Sequence, residues 1–494
     1  MKDRCSGRLL LFCVAVSACA IVQRSSASTQ PQSLQLQPCP VEALTGNSAS
    51  ARCGWIAAKE NPDAAESREI RLRITVIPAL RLKAQPDPLV ILAGGPGQGA
   101  HDAYASIAPV FAGIQRDRDI LLLDQRGTGQ SNRLDCELGD PTQIESADPQ
   151  RLQALAQQCL TALPGDPRLY TTSIAVRDLD AVRSALGYSQ LNLYAVSYGT
   201  RVAQQYARRY PDHVRTMILD GVIPVDLALG PDVAPRAQQS LDAIFQRCKG
   251  DAACAAAFPG LPEQFRELRT RLDREPVHAH LADPVTAEMR DLSFGGQELN
   301  AAVRLLTYSD ETASMLPLLI HGAQSANRSE PLIAQYLIVR RSLDTQFAYG
   351  MHFAVVCSED APHWAEQGIP DATADATYLG RAFMQGMKAV CDVWPRGVVD
   401  RDFHAPLQSD VPTLILSGGN DPVTPAAYGA RALTSFRHGR HLVLKGQGHG
   451  QLMTGCMPRL ATEFIDRAAT SFDTRCLDAI SPAPFMLSGT GAGP

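Results

Sequence analysis

Basic residues are in deficit in this chain: 46 Lys and Arg stand against 51 Asp and Glu, a formal net charge of −5. Without the leader described below, the balance falls to 42 basic against 50 acidic residues. Neutralising a phosphate backbone needs a basic face, so nucleic acid is excluded as an expected partner. Paired C-x₂-C and H-x₃-H spacings are also missing, and His278-Ala279-His280 has no further ligands nearby. No metal is therefore expected, and no cofactor. Beyond residue 22 no apolar run is long enough to span a bilayer, so no transmembrane segment is expected. The chain carries no internal repeat.

What is present begins with a leader. Lys2, Arg4 and Arg8 precede the apolar run Leu9 to Val22 and the small residues Ser25-Ser26-Ala27. This pattern predicts a secretory signal over residues 1–27 and an exported protein, periplasmic or secreted. Val16-Ser17-Ala18-Cys19 offers a second cleavage point, which would leave a lipid anchor on Cys19; the apolar Ala20-Ile21-Val22 favours free export. Of 13 cysteines, Cys5, Cys13 and Cys19 lie in the leader, which leaves an even ten. Connectivity is not readable from sequence, but proximity along the chain suggests Cys39 with Cys53, Cys136 with Cys159, Cys248 with Cys254, Cys357 with Cys391, and Cys456 with Cys476.

Three local settings carry chemistry. The apolar run Leu191 to Val196 reads as a buried strand and Tyr198 to Tyr210 as a helix, so Ser197 falls on the corner between them. The flanks of that corner are small, Ala195 and Gly199, in an A-x-S-x-G pattern. Asp421 follows the strand-like Thr413 to Ser417, and His449 follows Arg440 to Leu444. A serine hydroxyl is a poor nucleophile at neutral pH; an imidazole must take its proton, and a carboxylate must hold that imidazole in the right tautomer. Asp220, at the end of the strand Thr216 to Leu219, is the rival for the carboxylate role. A fourth setting is Pro88 to Ala93 running into Gly94-Gly95-Pro96-Gly97, a loop where backbone can approach a ligand closely. Gly95 and Tyr198 are the expected donors to a developing oxyanion, because Pro96 has no N–H and Tyr198 directly follows the serine. The bland readings are a serine N-cap, an Asn-Asp-Pro turn and plain glycine loops.

The order Ser, Asp, His is that of an α/β-hydrolase triad. Together AGGPG, LLLDQRGTGQS, LYAVSYGTRVAQQY, ILDGV, SGGNDPVTP and GQGHG resemble the proline iminopeptidase and tripeptidyl aminopeptidase group of α/β-hydrolases, from about Arg68 to about Ala468. The family more often begins the first block with His or Pro where this chain has Ala93. The segment around Asp421 and His449 resembles the C-terminal region of the tripeptidyl aminopeptidase branch. The resemblance implies an α/β fold, a mostly parallel sheet flanked by helices, and cleavage of short peptides from a free N-terminus. It also directs attention to HFAVVCSED, residues 352–360, where Glu359 is the candidate partner for a substrate amine.

The expected organisation is an N-terminal extension over 28–67, a first core part over 68–223, a mainly helical cap inserted over 224–405, a second core part over 406–480 and a flexible tail over 481–494. Within the cap, Gln238 to Arg247, Leu261 to Arg274 and Thr377 to Val390 read as helices. Arg68 to Arg73 reads as a half-exposed strand, and Ser25 to Pro40 as a flexible tether. The expected activity is that of a serine aminopeptidase acting through an acyl-enzyme. The alternatives are a carboxylesterase on the same triad and a catalytically inactive hydrolase fold used for binding. A serine at the corner disfavours epoxide hydrolases and dehalogenases, which use an aspartate there.

Overall fold

A computed structural model describes residues 34–42, 48–136 and 148–491; the expected leader and its anchor cysteine lie outside the described residues. Eleven strands are described: β1 Gln37–Glu42, β2 Ser48–Lys59, β3 Glu69–Ile77, β4 Leu89–Leu92, β5 Ile120–Leu123, β6 Leu191–Val196, β7 Val214–Asp220, β8 Val277–Ala282, β9 Met289–Phe294, β10 Thr413–Gly418 and β11 Gly439–Leu444. Nine of them form one sheet in the order β1-β2-β3-β5-β4-β6-β7-β10-β11. The ladders from β5 to β11 are parallel, and β1, β2 and β3 join by antiparallel pairing. This is the α/β class expected from the sequence.

The central parallel strands β4 and β5 are short, apolar and buried throughout because helices cover both of their faces. Alternate residues of β4 serve opposite cores. Val90 and Leu92 join the cluster with Leu193, Ala195, Val202 and Tyr206, whereas Leu89 and Ile91 join Phe111, Leu460 and Phe464 on the other face. Leu179 and Val182, at helical spacing, lie in the first of these clusters. After β4 the chain adds β5 on one side and β6 on the other. This reversal leaves a crevice at the carboxyl ends of β4 and β6, where open α/β sheets bind ligands.

Several elements differ from the sequence expectation. Residues 37–42 and 48–59, assigned to an extension and partly to a tether, form the sheet's edge, where Cys39–Cys53 joins β1 to β2. Their Pro, Ser and Ala content hid a strand that exists because β3 offers it a partner. The inserted region is mainly helical, with its own core around Leu241, Phe265, Leu299 and Tyr336, but it also holds the β8–β9 hairpin. Ala382–Val393 is helical where a start at Thr377 was expected. The described part of the tail is packed: Phe485 is buried in the cap core and the Met486 amide donates to the Ser314 carbonyl at 3.2 Å. All five disulfides pair as suggested from chain proximity.

Candidate active site

Ser197 stands between β6 and the helix Tyr198–Arg209, with φ 54° and ψ −123°. A non-glycine residue in this sparsely populated region is strained, and such strain persists only where surrounding structure enforces it. Here the Ser197 amide donates to the Asp220 carbonyl at 2.9 Å, tying the corner to the end of β7. The side chain makes no capping hydrogen bond, so the ordinary N-cap reading fails. The corner also demands glycine at 199, where a β-carbon would stand 2.2 Å from the Leu92 carbonyl oxygen.

The loop after β4 lies against this corner. A β-carbon on Gly94 would come within 3.3 Å of the Ser197 β-carbon, and Gly95 holds φ +112°, which suits glycine alone. Tyr198 opens its helix, so its amide has no acceptor within the helix and lies in the positive field of the N-terminus. Tyr198 adjoins Ser197 directly, and Gly95 follows the glycine that lies against it.

Asp421 is buried, and His449 Nδ1 lies 2.7 Å from its Oδ2. An ionised carboxylate only accepts, so Nδ1 carries the proton and Nε2 keeps the lone pair for a base. Asp421 is itself held by the Val423 and Thr424 amides on Oδ1, each at 2.8 Å, and by the Thr424 hydroxyl on Oδ2 at 2.7 Å. Burial lowers the His449 pKa, but the charge and hydrogen bond of Asp421 outweigh it and hold the imidazole above its ordinary value. The ring lies over Gly221, where a β-carbon would be 2.9 Å from Cε1. Gly221 directly follows the residue that accepts from Ser197, and this brings imidazole and serine to one corner.

Asp220 does something else. Its carboxylate accepts the Gln451 and Leu452 amides at 2.8 and 3.0 Å and the Tyr194 hydroxyl at 3.2 Å, so it anchors the turn after His449. Burial pushes its carboxyl up to about 6. The hydrogen bond to the imidazole belongs to Asp421, and the rival assignment is corrected on that ground.

Glu359 is not where an amine-binding carboxylate would have to be. Its side chain has 0% exposure. Oε1 accepts the Thr172 amide at 2.7 Å, Oε2 accepts the Thr172 hydroxyl at 3.0 Å, and Arg201 lies 3.7 Å away. Burial pushes its carboxyl up to about 7. The Thr172 hydroxyl also meets the Tyr198 hydroxyl at 2.6 Å, so Glu359 is linked through Thr172 to the residue that follows Ser197. Arg201, one helical turn after Ser197, is fully buried and grips Asp360 through two hydrogen bonds at 2.8 and 3.1 Å.

Sequence reasoning passed over Thr424, although an Asp followed three residues later by Thr is a local signal for such a turn. It had no access to the Arg201–Asp360 pair, whose members are 159 residues apart. It also missed Tyr308 of the inserted region, whose carbonyl accepts the His449 amide at 2.6 Å and whose ring meets the imidazole edge-on at 5.6 Å. Among the described residues no cluster of His, Cys, Asp and Glu is suited to a metal ion, and no helix is long and apolar enough to cross a membrane.

The family model described as alpha/beta hydrolase fold matches residues 87–455. Serine protease Hip1 of Mycobacterium tuberculosis (strain ATCC 25618 / H37Rv) is 24% identical over 510 residues, covering 93% of this chain and 95% of the relative. The tripeptidyl aminopeptidase of Streptomyces lividans is 29% identical over 189 residues, 35% of each chain. Carboxylesterase B of Mycobacterium tuberculosis (strain CDC 1551 / Oshkosh) is 28% identical over 424 residues, 78% of each chain.

Proposed function

The chain belongs to the α/β-hydrolase fold family, and from that premise we propose that it is an exported serine exopeptidase that releases N-terminal residues or short peptides. The observation that carries the reading is the Asp421–His449 pair set beside a serine in a strained strand-to-helix corner. In this reading Ser197 attacks the scissile carbonyl as His449 takes its proton. The Gly95 and Tyr198 amides stabilise the oxyanion, each typically worth ~10²–10³ in rate. His449 then protonates the leaving amine, and water releases the acyl group by the reverse sequence.

Similarity to a serine protease and a tripeptidyl aminopeptidase supports the peptidase class. Restriction to short substrates is supported by the inserted region, which reaches the site at both ends: the Ala348 amide donates to the Gly97 carbonyl at 3.0 Å, and the Tyr308 carbonyl accepts from His449. Five disulfides support an oxidising compartment.

A second reading is an esterase on the same triad. It is favoured by the similarity to carboxylesterase B and by the burial of Glu359, which leaves the substrate amine without that partner. A fluorogenic panel of aminoacyl, dipeptidyl and tripeptidyl amides, with free and acetylated N-termini, separates the two. Cleavage of free-amine substrates alone, lost in Ser197→Ala by about 10⁴–10⁶-fold, is the expected result. Turnover of simple esters only would favour the esterase, and absence of fluorophosphonate labelling would leave an inactive binding fold.

A further inference from the structure

Arg304 lies on the cap helix Gly296–Leu306, one turn before Tyr308. Its guanidinium rests on two aromatic faces, 5.0 Å from the Phe383 ring centre and 5.7 Å from that of Tyr308. Nη2 donates to the Tyr308 hydroxyl at 3.2 Å. Nε is buried with no hydrogen-bond partner, and among the described residues no carboxylate pairs with this cation. A second orphan lies close by: the Tyr378 hydroxyl is buried without a partner, and Arg304 and Tyr308 both act on it electrostatically.

The position matters as much as the isolation. Tyr308 packs on His449, and the charge of Arg304 disfavours protonation of both His449 and His352. His352 stands at the other end of the site, with Nδ1 3.2 Å from the Pro96 carbonyl oxygen, next to Gly95. Arg304 thus stands one side chain behind the base, with the Tyr308 ring in contact with both. A guanidinium held among aromatic rings without an anion is costly, and the cost is offset when a ligand brings the missing charge.

We propose that Arg304 is the specificity residue of a carboxylate subsite over the triad, with Tyr378 as a second donor, so that the substrate is a short peptide bearing a carboxylate near its scissile bond. The proposal rests on Ser197 as the nucleophile of a hydrolase. The carboxylate is either the free C-terminus of a very short peptide or an acidic side chain; a guanidinium binds both through the same paired N–H···O geometry.

The experiment compares kcat/KM for short peptides with free N-termini in two arms: free against amidated C-termini, and Asp or Glu against Asn or Gln beside the scissile bond. Wild type is expected to prefer the carboxylate form in one arm by about 10–100-fold, the range of a charged hydrogen bond, and that arm names the source. The preference should collapse in Arg304→Gln and return in part in Arg304→Lys. Wild-type indifference in both arms overturns the subsite without recourse to any variant, as does a preference that survives Arg304→Gln. Titration calorimetry of a free-carboxylate peptide into Ser197→Ala keeps the two readings apart. Arg304-dependent binding without wild-type turnover would retain the subsite and overturn the hydrolase, whereas turnover indifferent to the carboxylate would overturn the subsite alone.

Discussion

At the scale of single residues, the site depends on how one imidazole is held. The Asp421 carboxylate keeps the His449 pKa above its ordinary value of 6.5, so the imidazolium persists to higher pH and the base form becomes available later. The acid limb of kcat/KM is therefore expected above 6.5. In Asp421→Asn the raising charge is gone, so the limb should move down while the rate falls about 10⁴-fold; a pH–rate profile of both proteins checks this. Asp220→Asn should move the limb down by less than Asp421→Asn does, because the Asp220 charge also raises the imidazole but its hydrogen bonds go to the Gln451 and Leu452 amides. Ser197, Asp421 and His449 were legible in the sequence because each sits in a short local pattern of apolar run and turn. The surroundings of Glu359 were not, since a Ser-Glu-Asp triplet reads the same whether solvated or buried against an arginine from another helix.

Among the elements, the strand-to-helix corner and the segment behind it decide the geometry. Gly199→Ala would drive a methyl group into the Leu92 carbonyl. A loss of about 1–3 kcal/mol or more is expected, visible as a lowered unfolding temperature. Glu359→Gln tests the link through Thr172 to Tyr198. It should lower kcat for free-amine substrates with KM little changed, because the change reaches the reaction through Thr172 and Tyr198; a rise in KM with kcat unchanged would restore Glu359 to the amine-binding role. The strands of the parallel sheet were readable as apolar runs, and their bounds agree closely for β6 and β10. β1, β2, β8 and β9 were not, for their residues alternate with polar ones and become strands only by pairing with partners that the linear pattern does not reveal.

For the whole molecule, stability is shared between the sheet, the cap core and the cross-links. Cys136–Cys159 and Cys357–Cys391 sit in one cluster with Phe353 and Trp394, beneath the segment that carries Glu359 and Asp360. Each disulfide is expected to contribute about 2–4 kcal/mol. Thermal unfolding with and without dithiothreitol should therefore show a clear fall in midpoint on reduction, and activity should be lost with it. The sequence by itself determined the α/β class and singled out the serine, two candidate aspartates, the histidine and the glycine loop, because each is encoded in a contiguous pattern; the cysteine pairing it only suggested, through short separations. Only the tertiary structure decided that Asp421 and not Asp220 holds the imidazole, that Glu359 is buried against Thr172, and that Tyr308 packs on His449 with Arg304 behind it. Those are relations between segments far apart in the chain, set by how the cap packs on the sheet, and no local periodicity carries that information.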